Sequence, residues 1–334
     1  MTETLFLTSE EVAGLADPAE YVDAVRDAYR QIGEGAPAEP RTKLVNAEPP
    51  GFLTTYAAVL PETGAMGGYT YSAGFGARDA WFMTPLFDAE SGEPLALLDG
   101  ASMNPHKTGA AGAVGVDALA REDANSVAVI GSGAQARGQL LATATVRDLE
   151  TVWVYSPTKE HREAFAGDMN GEIDAAVAAV ASAAAAIENA DVVITATNAS
   201  EPVFDGEALE PGTHVTAMGQ YNANKRELDH ATIERATYVP DLRARANADG
   251  DAGSFISALE AGVVDEDHVH AELGEVVAGV EPGRTSDDEI TVFDSGGTGI
   301  ETAASAYLLY EKAVDAGLGQ PIEFAPASEA LTGE

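Results

Sequence analysis

Residues 127–139 read VAVIGSGAQARGQ. An apolar, β-branched run ends at Gly131, small residues recur at Gly133 and Ala136, and a helix-favouring segment follows. The order strand, tight turn, helix constrains the fold locally. Gly131 permits the turn, Gly133 lets a backbone approach a pyrophosphate, and Ala136 lets the helix lie close to the strand. Phosphates then meet the free N–H groups of the helix N-terminus. A GxGxxA turn alone is a weak signal. Here an apolar strand precedes it, a helix opens from it, and a second strand, VWVY, follows at the expected distance.

The rest of the chain agrees. From 126 to about 300 the segments SVAVIG, TVWVYS, AAVAAV, DVVITATN, THVTAMG, TYVPD and ITVFDSG alternate with helical stretches. That alternation predicts an α/β Rossmann unit, a doubly wound parallel sheet with helices on its faces, over 121–302. The alanine-rich AVAAVASAAAAIENA is read as a short strand and a helix, because DVVITAT follows at once. Between 41 and 100 the pattern changes to hairpins: KLVNA, FLTTYAAVL, GGYTYSAGF, AWFMTPLF and PLALLDG, with DAESGE as a loop. Ahead of them, Thr8 with Glu11 forms a capping box, and Asp17 caps a helix with Pro18 at N1 and an apolar stripe of Tyr21, Val25, Ala28, Tyr29 and Ile32. The segment NPHKTGAAGAVGVDALA predicts a helix capped by Asn104, whose glycines and alanines imply close packing on a neighbour. The last helix read from the pattern is TAASAYLLYEKAVDAGLG, with Tyr307, Leu308, Tyr310, Glu311 and Ala313 at helical spacing.

Cofactor choice rests on Ser156, about 20 residues past the turn. An acid there takes the adenine ribose hydroxyls and repels a 2′-phosphate. The chain instead offers Ser156, Thr158 and Lys159, with Arg162 one helical turn on. NADP(H) is therefore expected over NAD(H), the alternative being that the two cations form only a solvated helix start. Ala134 and Gln135 in the turn, Thr197 and Asn198 after DVVITA, Met218 ending THVTAM, and Gly297 and Gly299 in SGGTG are also assigned to the cofactor.

Charge narrows the partners. The 334 residues carry 55 acidic against 18 basic side chains, a formal net of -37, which repels nucleic acid and anionic membranes. The acids are dispersed, as in SEE, REDAN and SDDE, and few lysines accompany them, a balance that resembles proteins of salt-in halophilic archaea. At molar salt the Debye length is about 3 Å and such self-repulsion is screened. No apolar run approaches the roughly 20 residues of a membrane span, and MTETLFLTSEE lacks the basic start of a signal peptide. Without cysteine there are no disulfides or thiolate–metal sites. A cytoplasmic location is expected. The HxH of DEDHVHAE sits in an acidic run without a third ligand, so no metal is expected, and His214 in THVTAMG is read as a packed histidine.

Taken together, LTSEEVAGLADPAEYVDAVRDAYRQIGEG, PLFDAESGEPLALLDG, HKTGAAGAVGVDALA, VAVIGSGAQARGQ, KRELD and TVFDSGGTGIETAASAYLLYEKA resemble the ornithine cyclodeaminase and mu-crystallin family, which includes an archaeal alanine dehydrogenase branch. The resemblance covers nearly the whole chain. It implies a homodimer and an α+β substrate-binding and dimerisation domain built from both chain ends, 1–120 with 303–334. YSPTKEHREAFA resembles the segment that some members use around a 2′-phosphate, with Pro157 where an arginine is usual.

The resemblance also implies site residues. Arg41, in EPRTKL, matches an arginine that binds the substrate carboxylate, and Lys107 stands where the family has a second one. A lysine keeps the cation but loses the bidentate fork. Tyr69 stands at a substrate-binding lysine, Tyr221 at an aspartate that works on the imine, and Thr302 at an acid. If the resemblance holds, Tyr69 and Tyr221 face each other near the nicotinamide and supply a proton, with Lys107 lowering the phenol pKa and burial raising it. The activity implied is hydride transfer between a nicotinamide cofactor and the C=N of an imino acid, or reductive amination of a 2-oxo acid. Ornithine cyclodeamination and non-catalytic dinucleotide binding are the alternatives.

Overall fold

The structure is a computed structural model and describes residues 2–76, 79–219, 222 and 224–332. In chain order the elements begin with β1 (Thr2–Leu7), α1 (Ser9–Val12), α2 (Pro18–Gly33), β2 (Ala38–Asn46), β3 (Gly51–Leu60), β4 (Ala65–Gly74), β5 (Asp79–Asp88) and β6 (Pro94–Asp99). Then come α3 (Asn104–Leu119), β7 (Ser126–Ile130), α4 (Ala134–Thr143), β8 (Thr151–Tyr155), α5 (Lys159–Met169), β9 (Ala176–Ala179), α6 (Ala183–Ile187), β10 (Val192–Thr195) and β11 (His214–Ala217). The chain continues through α7 (His230–Arg235), β12 (Ala236–Pro240), α8 (Gly253–Glu260), α9 (Leu273–Val277), β13 (Ile290–Asp294), α10 (Gly299–Ala316), β14 (Gln320–Phe324) and α11 (Ala327–Thr332).

Two compact units result: Met1–Asn104 with Thr298–Glu334, and Pro105–Gly297. The sequence pattern places the boundaries at 120 and 302, so α3 from Pro105 onward changes sides. Its glycines give the reason. A Cβ at Gly109 would come within 2.2 Å of the Gly138 carbonyl oxygen, and one at Gly115 within 2.5 Å of the Phe293 ring. The Gln139 amide donates to the Thr108 carbonyl at 2.6 Å. α3 is thus packed backbone to backbone on α4 and against β13. Asn104 is itself the first helical residue rather than the cap.

In the second unit seven strands run parallel in the order β12-β13-β11-β10-β7-β8-β9. The near-continuous apolar strands of the sequence follow from burial on both faces. Val127, Val129, Val152 and Val154 pack with Leu140 and Phe165 of α4 and α5. Ala128, Ile130, Val193 and Val215 face the other way, towards Ile187, Ile233 and Phe255 of α6, α7 and α8. The strand order reverses between β7 and β10, the position at which doubly wound sheets bind ligands.

The first unit is a second seven-stranded sheet, β14-β1-β6-β5-β4-β3-β2, antiparallel except where β1 runs beside β6. One face carries α2 and α10. The Thr8–Glu11 capping box and the Asp17 cap form as expected, and Glu20 completes a second capping box with Asp17. In α2 the buried set is Tyr21, Val22, Val25, Ala28, Tyr29 and Gln31. Ile32 is only half-buried; Gln31 takes the inward place because its amide reaches Asp27 and Thr63, both at 2.7 Å. In α10 the inward face is the small one, Ala303, Ala306, Leu309 and Ala313, while Glu311 is exposed. Neither β1 nor β14 is evident from the sequence pattern, and α11 follows the helix read as the last.

Candidate functional site

Gly131 has φ +125°, and a Cβ there would meet the Ala196 carbonyl oxygen at 2.5 Å. Both the turn and the close approach of the next crossover therefore demand glycine. Gly133 is the N-cap of α4, no side chain caps it, and a Cβ there would meet nothing within 4 Å. Its glycine answers to nothing inside the protein, and it is exposed beside the exposed Ala134. In the same turn Gln135 has a buried Oε1 without a hydrogen-bond partner among the described residues, while Ala136 is fully buried on the sheet. An open helix N-terminus with an unsatisfied amide oxygen beside it fits a phosphate-bearing ligand whose other end offers a donor.

At the end of β8, Ser156 is buried, accepts a hydrogen bond from the Ser132 hydroxyl at 3.0 Å, and donates to the Thr158 carbonyl at 3.3 Å. Arg162 is turned back on the carbonyls of Ser156 (2.8 Å) and Pro157 (3.4 Å), with its guanidinium over the Tyr155 ring. It braces the loop. Lys159 lies outward, 3.6 Å from Glu163. Thr158 is exposed and its side chain makes no cap on α5. Of the expected phosphate partners, Thr158 and Lys159 are exposed, Arg162 is half-buried and Ser156 is buried.

The crevice at the carboxyl ends of β10, β11 and β13 is held by buried acids. Thr197 sits half-buried, Asn198 is exposed, and Met218 is buried with its N–H donating to the Thr195 carbonyl at 2.9 Å. Just past β12, Asp241 accepts from the Ser295 hydroxyl (2.7 Å) and the Gly296 N–H (3.2 Å) that follow β13, and Ser295 in turn accepts from the Gly297 N–H at 3.2 Å. Gly297 has φ +82°, which explains the glycine. Asp241 is paired at 2.9 Å with the buried Arg245, which also bonds Asp251 at 2.6 Å. Asp294, in the same cluster, is pushed up to about 6 by burial, against the pull of Arg245 and the Tyr238 hydroxyl. His214 is the packed histidine expected: it bonds Thr291 and Thr216, both at 2.9 Å, and burial pushes it down to about 3.

Lys107 lies in the first turn of α3 and is 1 % exposed. In the other unit, Arg41 occupies an irregularity of β2, where the register with β3 shifts between Glu39 and Thr42. Its guanidinium lies over the Tyr56 ring, 5.3 Å from the centroid, and donates to the Tyr71 hydroxyl at 3.1 Å. Tyr69 is packed among Tyr56, Tyr71 and Phe82. Its hydroxyl donates to the Gly100 carbonyl at 2.8 Å, and burial holds its pKa well above the ordinary phenol value. Of the two opposing effects expected on this phenol, burial is the one that prevails. Gly299 is demanded by packing, since a Cβ there would stand 2.1 Å from Ala57 of β3. Thr302 is buried and bonds the Thr298 carbonyl at 2.8 Å within α10. Tyr221 lies outside the described residues.

A model of the ornithine cyclodeaminase/mu-crystallin family matches residues 2–317. The chain belongs to this family. It is 39% identical over 239 residues to a Δ1-pyrroline-2-carboxylate reductase of Bacillus cereus, covering 72% of this chain and 73% of that one. Among solved structures, Δ1-pyrroline-2-carboxylate reductase of Thermococcus litoralis, in complex with NADH and L-proline, is 34% identical with a TM-score of 0.89, over 96% of this chain and 100% of the other. An archaeal alanine dehydrogenase dimer with bound NAD is 32% identical, again with a TM-score of 0.89, over 97% and 100%.

The sequence pattern places Glu227 in KRELD and Asp241 at the end of TYVPD but gives neither a role. Glu227 is fully buried, and its carboxylate accepts from Thr195, Thr197 and Gly219. An acid inside a motif flanked by strand ends was the available signal.

Proposed function

We propose that this chain is a nicotinamide-dependent oxidoreductase that reduces the C=N bond of a small imino acid, a cyclic imine carboxylate before a 2-oxo acid with ammonia. The observation that carries the reading is its full-length likeness to a reductase holding NADH and L-proline, joined to a turn whose Gly133 is open to a ligand. When bound, NADH or NADPH would supply a hydride to the imine carbon, the nitrogen carrying a proton taken from water. The α4 N-terminus holds the diphosphate, and Gln135 Oε1 accepts from a donor of the cofactor. Arg41, whose guanidinium lies over Tyr56 and donates to Tyr71, is assigned to the substrate carboxylate, and Lys107 is the residue at the second carboxylate-binding position that the family resemblance implies. Tyr69 is assigned to holding the Gly100 turn, because its proton already lies on that carbonyl.

With Ser156 in place of an acid, nothing at that position repels a 2′-phosphate, and Thr158 and Lys159 favour one. NADPH is therefore a cofactor at least as good as NADH. The chain works as a homodimer of cytoplasmic type in a salt-rich interior. The test is oxidation of NADPH and NADH by purified protein in molar KCl, offered Δ1-pyrroline-2-carboxylate, its six-membered homologue, and 2-oxo acids with ammonia. Turnover of a cyclic imine, with NADPH matching or exceeding NADH, is expected. Cofactor binding without turnover on any of these would favour a non-catalytic binding protein, and tighter binding of NADH would sink the cofactor assignment.

A further inference from the structure

Glu227 is fully buried and lies outside the β-sheet, yet it reaches two strand ends at once. Oε1 accepts from the Thr197 N–H at 2.6 Å, just past β10. Oε2 accepts from the Gly219 N–H at 2.9 Å, just past β11, and from the Thr195 hydroxyl at 2.9 Å. The backbone of Glu227 is fixed too, for its carbonyl accepts from the Val203 N–H at 2.8 Å. Gly219 is shaped to the carboxylate: a Cβ there would stand 2.6 Å from the Glu227 carboxyl carbon.

The loop so held is no ordinary crossover. Ala196 precedes Thr197, and its carbonyl oxygen is the atom that a Cβ at Gly131 would meet at 2.5 Å. The Ala196 N–H in turn donates to the Ile130 carbonyl at 2.9 Å. One carboxylate therefore sets the height of the loop that backs the phosphate turn and, through Gly219, the loop after β11. A neutral amide in its place keeps the shape but offers one accepting oxygen and an NH₂ that faces a backbone donor. Burial raises the pKa of Glu227 while the hydrogen bonds oppose that rise, so the same contacts that hold the loops support the ionised form.

We infer that Glu227 is a positioning residue for the dinucleotide, a clasp that ties the β10 and β11 loops to the phosphate turn. The inference rests on the proposed dinucleotide site. Its test uses the full-length protein, with NADPH and NADH titrated by fluorescence and thermal unfolding followed by circular dichroism. Glu227→Gln is expected to weaken dinucleotide binding at least about fivefold at a temperature where it is folded, since a buried donor is left facing a donor. The KM for the dinucleotide rises with it while the KM for the imino acid stays. Thr195→Val removes one bond and no backbone contact, and is expected to weaken binding about two- to threefold. If Glu227→Gln folds and binds as the parent does, the clasp is refuted even where its melting temperature falls. If it does not fold, Thr195→Val decides: weaker binding supports the clasp and unchanged binding overturns it. Failure of the parent to bind either dinucleotide overturns the proposed function, and the clasp with it.

Discussion

At Tyr69 the phenol is 1 % exposed and donates to the Gly100 carbonyl, while a Cβ at Gly100 would strike the same ring at 2.5 Å. Ring and turn fit one another, and the hydroxyl closes the fit. Replacing Tyr69 with phenylalanine leaves a buried carbonyl without this donor, at a cost of about 1–3 kcal/mol. Turnover should fall by much less than the roughly 10²-fold that loss of a general acid brings. Melting curves and steady-state rates on the best imine check both, and a hundredfold rate loss with an unchanged melting temperature would return the catalytic role to this tyrosine. The residues that are legible in the sequence are those whose constraint is local. Gly131, Gly133 and Ala136 are tied to one turn within six positions, so a short string suffices. Glu227 was not legible because its partners lie 30 and 32 positions upstream, at Thr197 and Thr195. Burial at Tyr69 likewise depends on Gly100, 31 residues on.

Among elements, the sheet of the first unit has an unusual outer face. Cross-strand pairing lines up Leu44, Leu53, Ser72 and Trp81 in one row, and Thr42, Thr55, Thr70 and Met83 in the next. Leu44 is 64 % exposed, Leu53 44 %, Trp81 69 % and Met83 55 %. Beside them a shallow hollow of about 410 Å³ is lined by Ala57, Val59, Met66, Pro85 and Phe87. In a chain this acidic, an apolar patch at these positions, with Glu39 and Asp79 at its margins, asks for a cover, and a second copy presents the same face. We propose this face as the contact of a homodimer. Light scattering should give about twice the chain mass for the parent and one chain mass for Trp81→Glu combined with Met83→Lys; a dimer that survives both changes would refute this face. The hairpin pattern made β3 to β6 legible, since alternation of inward Tyr56, Tyr69 and Tyr71 with outward residues is a local signal. The pair β1 and β14 was not. Their partnership, Thr2 opposite Phe324, is made by backbone across the whole chain, and only Ile322 of β14 is partly buried. Pro321 reads as a breaker, yet an edge strand tolerates it.

For the molecule as a whole, 55 acids against 18 bases set a self-repulsion that every other interaction must exceed. Raising ionic strength from about 0.15 M to 1 M shortens the Debye length from about 8 Å to about 3 Å. The melting temperature should therefore climb with KCl, by on the order of 10 °C between 0.2 M and 2 M if the relief reaches several kcal/mol. A flat or falling curve would show that the acids are already neutralised locally and would remove the salt-adapted reading. The division of the chain has a consequence for its synthesis. Pro105–Gly297 is one continuous stretch, so once it has left the ribosome every strand of its sheet is present. The other sheet is dealt out in two instalments. Strands β2 to β6 emerge early, but α10, which lies across β3 and β4, and β14, which pairs with β1, arrive about 200 residues later, at an elongation rate of roughly 5–20 residues per second. For that interval the tyrosine-lined face of the hairpins waits without its helix, while an entire nucleotide-binding fold completes itself in between.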